Sequence, residues 1–137
     1  MKKMILIGIA GGTGSGKTSV ANAILAEFSN NEVVLIQQDS YYQNLKHLSQ
    51  DDRALVNFDH PDAVDFDSLN HDLQMLISGE SAQIPIYDFN THTRKDKTRT
   101  VGNHHIIVLE GILALFDERI RNLMDIKLYI DTPDDIR

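Results

Sequence analysis

The octapeptide Gly-Gly-Thr-Gly-Ser-Gly-Lys-Thr at 11–18 constrains this chain more than any other feature. It satisfies G-x-x-x-x-G-K-[ST] and directly follows the apolar run 4–10, Met-Ile-Leu-Ile-Gly-Ile-Ala. A triphosphate is dense negative charge, so its cradle needs main-chain N–H groups turned inward, and glycines let a chain curl that closely around oxygens. Gly11, Gly12, Thr13, Gly14, Ser15, Gly16, Lys17 and Thr18 are therefore the expected phosphate-binding residues. Lys17 supplies a fixed positive charge to the β- and γ-phosphates and Thr18 a hydroxyl to Mg2+, while a helix starting there points its positive end at the same oxygens. The following residues fit such a helix, with Val20, Ile24 and Phe28 at helical spacing. The dinucleotide pattern G-x-G-x-x-G fails, because counting from Gly12 and Gly14 the third glycine position holds Lys17.

Strand-like and helical stretches alternate along the chain, which predicts an α/β fold of the P-loop nucleoside triphosphate hydrolase type, a parallel sheet flanked by helices. Beyond 4–10, strands are expected at 33–36, 106–109 and 126–130. A long insertion separates the second and third. Within it Leu69, Leu73, Leu76 and Ile77 recur at helical spacing, with Gly79 where that helix should stop. Segments 83–89 and 98–101 then read as arms of an inserted β-hairpin with a basic tip at 94–97, and Pro85 confines the first arm to a sheet edge or an irregular extended stretch. With no repeat, low-complexity stretch or Pro/Gly-rich linker, residues 1–137 are expected to form one phosphate-loop domain.

Of the 137 residues, 42% are hydrophobic and 24% charged, enough for one domain with a real core. The formal net charge of −7 argues against a nucleic-acid surface, which leans on neutralising phosphates with a basic face. It does not argue against ATP, which is held locally. Without cysteine there is no disulfide framework and no thiol nucleophile, which fits a reducing cytoplasm. The start, Met-Lys-Lys-Met-Ile-Leu, imitates a signal peptide, but its apolar run passes straight into the phosphate loop. No apolar stretch reaches the ~18 residues of a membrane span.

Further candidates lie at the ends of the expected strands. Glu110 closes the run Ile-Ile-Val-Leu and would place a carboxylate beside the Mg2+ of a phosphate-loop enzyme. Asp39 follows the second strand at the sheet end where α/β folds bind ligands; a cap or turn role is its alternative. Phosphoryl transfer needs positioning, charge neutralisation and a group to orient or deprotonate the nucleophile, roles that Lys17, Thr18, Glu110 and Asp39 could fill. Asn-Phe-Asp-His-Pro-Asp at 57–62 reads as a loop with Phe58 inside. His104 and His105 enter a strand side by side, facing opposite ways, which argues against one shared ion.

Taken in order, the phosphate loop, Gln-Asp-Ser-Tyr-Tyr at 38–42, Asn-Phe-Asp-His-Pro-Asp-Ala at 57–63, Ile-Pro-Ile-Tyr-Asp-Phe at 84–89 with His92 and Arg94, Leu-Glu-Gly-Ile-Leu at 109–113 and Asp-Thr-Pro-Asp-Asp-Ile-Arg at 131–137 resemble the uridine kinase (uridine-cytidine kinase) family, within the phosphoribulokinase/uridine kinase group of P-loop kinases. The resemblance implies ATP-dependent phosphorylation of uridine or cytidine at the 5′-hydroxyl, giving UMP or CMP in pyrimidine salvage. It implies that Asp39 takes the hydroxyl proton, with Lys17 also catalytic, that Thr18 and Glu110 face Mg2+, and that Asp59 holds ribose hydroxyls beside Tyr42 and Phe58. Tyr87, Phe89 and His92 would form the pyrimidine pocket. It further implies small-molecule partners (nucleoside, and ATP or GTP), a cytoplasmic homotetramer, and no nucleic-acid or membrane partner. The chain resembles the family's N-terminal two thirds. The helix start at 132–135 is followed only by Ile136 and Arg137, so a last strand and an arginine-rich lid are expected to be missing. The alternatives are a kinase of another small alcohol, such as phosphoribulose or pantothenate, and a truncated nucleotide-binding module with little turnover. A switch GTPase is disfavoured for want of an Asn-Lys-x-Asp segment.

Overall fold

The computed structural model describes residues 4–12, 14–58 and 60–131. Expectations at Thr13, at Asp59 and for the helix start at 132–135 with Arg137 lie outside the described residues.

The apolar runs become strands of a parallel sheet: β1 (Ile5–Gly11), β2 (Val33–Gln37), β5 (Ile106–Glu110) and β6 (Ile126–Ile130) stand in the order β2-β5-β1-β6. Ile9 of β1 and Gln37 of β2 both pair with Glu110 of β5, so β2 and β5 finish level, β1 runs two residues further to Gly11, and all three release their loops on one side. The two-residue alternation sends Leu6, Ala10, Val34, Ile36, Ile107 and Leu109 to one face of the sheet. There they meet Leu69, Leu73 and Leu76 of α3 (Phe66–Ile77), and Ile120 of α4 (Glu118–Leu123). Ile7, Ile9, Val33 and Val108 face the other way, onto Ala21 and the half-buried Val20, Ile24 and Leu25 of α1 (Lys17–Ala26). Phe28 does not continue that face. The helix closes at Glu27, whose N–H donates to the Ile24 carbonyl at 3.1 Å, and Phe28 beyond it is exposed.

Between β2 and β5 the chain forms a 3₁₀ turn at Gln38–Tyr41, the short α2 (Gln50–Ala54), a second 3₁₀ turn at Pro61–Ala63, α3, and an antiparallel hairpin of β3 (Ala82–Asp88) with β4 (Thr93–Val101). α3 starts where Asp65 Oδ1 accepts from Ser68 N, and Gly79 at φ 91 ends it as expected, although Ile77 is turned to solvent. The hairpin corrects one expectation: residues 94–97 lie within β4, not at the tip. The tip is 89–92, shaped by Asp88 Oδ1 accepting from Asn90 N (2.9 Å) and Thr91 N (3.4 Å). Lysines on an exposed two-stranded ribbon need no turn to reach water. Pro85 sits at the irregular step between Pro85 and Tyr87.

Candidate active site

The glycines of 11–18 do what their spacing requires. Gly14 and Gly16 adopt φ 79 and 95, a left-handed backbone that side chains other than glycine rarely take. Gly16 stands at the start of α1 with no side-chain cap and no acid in the first turn, so the helix's first amides remain available to an anion. Gly11 approaches Ile130 and Ser15 so closely that a β-carbon would lie 2.6 Å from the Ile130 carbonyl oxygen and from Ser15 Oγ. The Ser15 Oγ packed there is buried and has no hydrogen-bond partner.

Level strand ends bring the acids to this loop. Thr18 Oγ1 donates to Glu110 Oε1 at 3.3 Å, although the two lie 92 residues apart in sequence. Glu110 is buried, and a cleft of about 170 Å³ joins it to Lys17, Asp39, Tyr42 and Phe58. Asp39 Oδ1 is buried without a partner. Burial, and secondarily repulsion from Glu110, push the Asp39 carboxyl above its ordinary range against the pull of Lys17 and its own backbone N–H. A carboxylate moved toward neutral pH and open to a cleft can accept a proton from an alcohol. Unpartnered oxygen donors beside a Thr–Glu pair also suit a hard, oxygen-seeking cation such as Mg2+. Mg2+ usually takes only one or two carboxylates and fills its remaining positions with water and phosphate oxygens.

On the far side of Asp39 the five ring residues singled out in the sequence form one cluster. Tyr42 lies 4.8 Å from Phe58, 5.5 Å from Tyr87 and 6.2 Å from Phe89, centroid to centroid. His92 stacks on Phe58 at 4.9 Å and 22°. Tyr87 is buried, its hydroxyl pushed up to about 12 mainly by desolvation. The pairs are tilted or edge-on except for the His92–Phe58 stack, which leaves ring faces to meet a flat partner. His92 reaches its place through a left-handed backbone, φ 57.

Several residues that shape this site stand in motifs quoted from the sequence, but without any role assigned to them there. Buried Gln38 spans from the end of β2 to the loop after β5, its Oε1 accepting from Leu113 N at 2.8 Å. Tyr41, fully buried, donates to Asp72 Oδ2 of α3 at 2.7 Å, anchoring the turn that carries Asp39 and Tyr42. Arg94 ties Tyr42 to α3, donating to the Tyr42 carbonyl at 3.3 Å and to Asp65 Oδ2 at 3.2 Å. Glu110 could be read because it ends an apolar strand, and Asp39 because it follows one by a few residues. The Gln38 and Tyr41 contacts exist only once distant segments have docked.

Residues 6–137 match the Phosphoribulokinase / Uridine kinase family. The uridine kinase of Brevibacillus brevis is 53% identical over 137 residues, all of this chain and 64% of that protein, and the uridine kinase of Streptococcus uberis is 51% identical, covering 99% of this chain and 65% of its own length. The chain thus spans just under two thirds of the length of these curated relatives. Among solved structures, one described as a possible uridine kinase from Bacillus stearothermophilus superposes with a TM-score of 0.73 at 23% identity, over 99% of this chain and 75% of that one. The phosphoribulokinase from Rhodobacter spheroides gives 0.68 at 17%, over 94% and 51%. At those identities the structural likeness shows a shared fold.

Proposed function

The chain belongs to the phosphoribulokinase/uridine kinase family, and from that premise we propose that it carries the donor loop and the acceptor pocket of a kinase that transfers the γ-phosphoryl group of ATP to the 5′-hydroxyl of uridine or cytidine. The observation that carries this reading is the single cleft that joins Lys17 and Glu110 to Asp39 and leads on to Tyr42 and Phe58. Donor chemistry stands at one end and aromatic faces at the other. A nucleoside has no charge to grip, so a pocket for it must work through stacking and directional hydrogen bonds. The cluster of Tyr42, Phe58, Tyr87, Phe89 and His92 offers both.

In this reading the main chain at 11–16 and the first turn of α1 hold the triphosphate, and Lys17 places positive charge on its outer phosphates. The nucleoside 5′-oxygen attacks the γ-phosphorus, Asp39 receives the proton, and the bond from the γ-phosphorus to the bridging oxygen breaks to release ADP. Asp39 suits that role because burial and Glu110 raise its affinity for a proton, opposed by the nearby charge of Lys17. Thr18 Oγ1 and the Glu110 carboxylate would hold Mg2+, which supplies charge neutralisation at the phosphates when bound. Residues 1–137 act as one P-loop kinase domain in this proposal, working in the cytoplasm on small-molecule substrates, as part of a homotetramer.

The test is turnover with ATP and a panel of uridine, cytidine, pantothenate and ribulose phosphate, run on the intact protein and on Asp39→Asn. Uridine or cytidine should be the acceptor. The substitution should lower kcat by ~10²–10⁴ while ATP still binds, the range expected for loss of a general base. Undiminished turnover in Asp39→Asn would remove Asp39 from the mechanism, and preference for a non-nucleoside alcohol would remove the pocket assignment.

A further inference from the structure

Residues 43–57 line none of the cleft that joins Lys17 to Phe58, yet they hold the most heavily bonded arginine among the described residues. Arg53 stands in α2. Its Nε–H is shared between the carbonyl oxygens of Leu45 (2.8 Å) and Leu48 (3.0 Å). Its Nη1 donates to Gln50 Oε1 and to the Thr91 carbonyl, both at 3.1 Å, and its Nη2 to the Lys46 carbonyl at 3.2 Å. Beside it Gln50 Nε2 donates to the Asn90 carbonyl at 3.4 Å. Only a planar fork of donors can gather four main-chain carbonyls from two separate segments; an ammonium is a single point.

Two of the acceptors in this arrangement, Asn90 and Thr91, are the residues between Phe89 and His92. The bonds that the hairpin tip makes for itself, from Asp88 Oδ1 and between the Thr91 and Thr93 hydroxyls at 2.7 Å, give the turn its shape but do not attach it to the body of the protein. Packing does little to attach it either, since Phe89 is 54% exposed. The tip is fastened by Arg53 and Gln50 on one side and, on the other, by the stack of His92 on Phe58 and the edge-on contacts of Phe89 with Tyr42 and Tyr87.

We infer that Arg53 is a positioning residue of the acceptor pocket: by clamping the hairpin tip to the 45–48 loop it holds Phe89 and His92 where they complete the ring cluster, and so sets acceptor affinity without touching the acceptor. This rests on the reading of that cluster as a nucleoside pocket. A tip released from its clamp spends only part of its time in the competent arrangement, and apparent affinity falls by that fraction. The donor loop, on the other side of Asp39, is untouched.

The experiment compares the intact wild-type protein with Arg53→Met and Arg53→Lys, measuring amide hydrogen exchange at 89–93, calorimetric titration with uridine and with ATP, and thermal stability. In Arg53→Met the tip amides should exchange faster and uridine should bind roughly 10-fold or more weakly, with ATP affinity within about twofold of wild type. Arg53→Lys should recover only part of the uridine affinity, since it restores the charge but not the fork. If uridine and ATP weaken together with a fall in Tm, or if exchange and uridine binding are both unchanged, the inference is wrong. If the wild-type protein binds ATP but neither uridine nor cytidine, the nucleoside reading fails. Exchange alone then judges the clamp: faster exchange in Arg53→Met upholds it and unchanged exchange overturns it.

Discussion

Asp39 shows how one residue's chemistry opposes its own stability. Its carboxyl is buried beside Glu110 and holds its proton to higher pH than it would in the unfolded chain. A group whose affinity for protons is raised by folding contributes stability below its unfolded pKa, near 3.8, and loses that contribution as pH rises through the folded value. At pH 7, above the unfolded value, the folded protein therefore carries the cost of a carboxyl that ionises less readily than in the unfolded chain, a cost that the amide of Asn would not impose. Asp39→Asn should melt at a higher temperature than wild type at pH 7, with the gap closing toward pH 4; thermal melts across that range check it. Glu110 could be singled out in the sequence because it closes an apolar strand, and Asp39 because it follows one by two residues. Gln38 could not, because its partner lies 75 residues away and meets it only when β2 and β5 align.

At the scale of elements, the strands and α3 could be read because their periodicity extends over several residues and survives docking. α2 and α4 have five and six residues, too short for a helical period to repeat, and they escape such a reading. The hairpin was legible as a hairpin but not in its turn, since charge on an exposed ribbon resembles charge in a loop. The signal that does mark the tip is Asp88 two residues before Asn90, the spacing of a side-chain-capped turn. The junction between β2 and β5 depends on close approach: a β-carbon on Gly111 would stand 2.6 Å from Gln38 Oε1 and 2.7 Å from Gln38 Cβ. Gly111→Ala must displace Gln38 and break its bond from Leu113 N, with a cost of ~1–3 kcal/mol expected for overpacking. Urea unfolding should show a lower midpoint with an unchanged slope.

Across the whole molecule the two sides of the sheet are unequally covered. One is sealed by α3, α4 and the hairpin, with Leu69, Leu73 and Leu76 essentially inaccessible; the other carries α1, whose Ile24 and Leu25 are only half-buried. Leu73→Ala should therefore cost ~2–5 kcal/mol, the range for fully enclosed leucines, and Ile24→Ala only about 1 kcal/mol, measured by equilibrium denaturation. The glycine loop could be read as a motif because its residues are contiguous and its demands are on the backbone, as the φ of Gly14 and Gly16 reflects. The acceptor cluster was readable only as separate motifs, since its rings come from 42, 58 and 87–92 and meet through tertiary contacts. All of those rings nevertheless hang from one crossover, the stretch leaving β2 after Gln37 and rejoining the sheet at Ile106, whereas the donor loop belongs to β1 and α1. The entropy of closing a crossover rises only slowly with its length. The ring cluster can therefore be rebuilt by substitutions confined to a single contiguous stretch, with the glycine loop between β1 and α1 left as it stands.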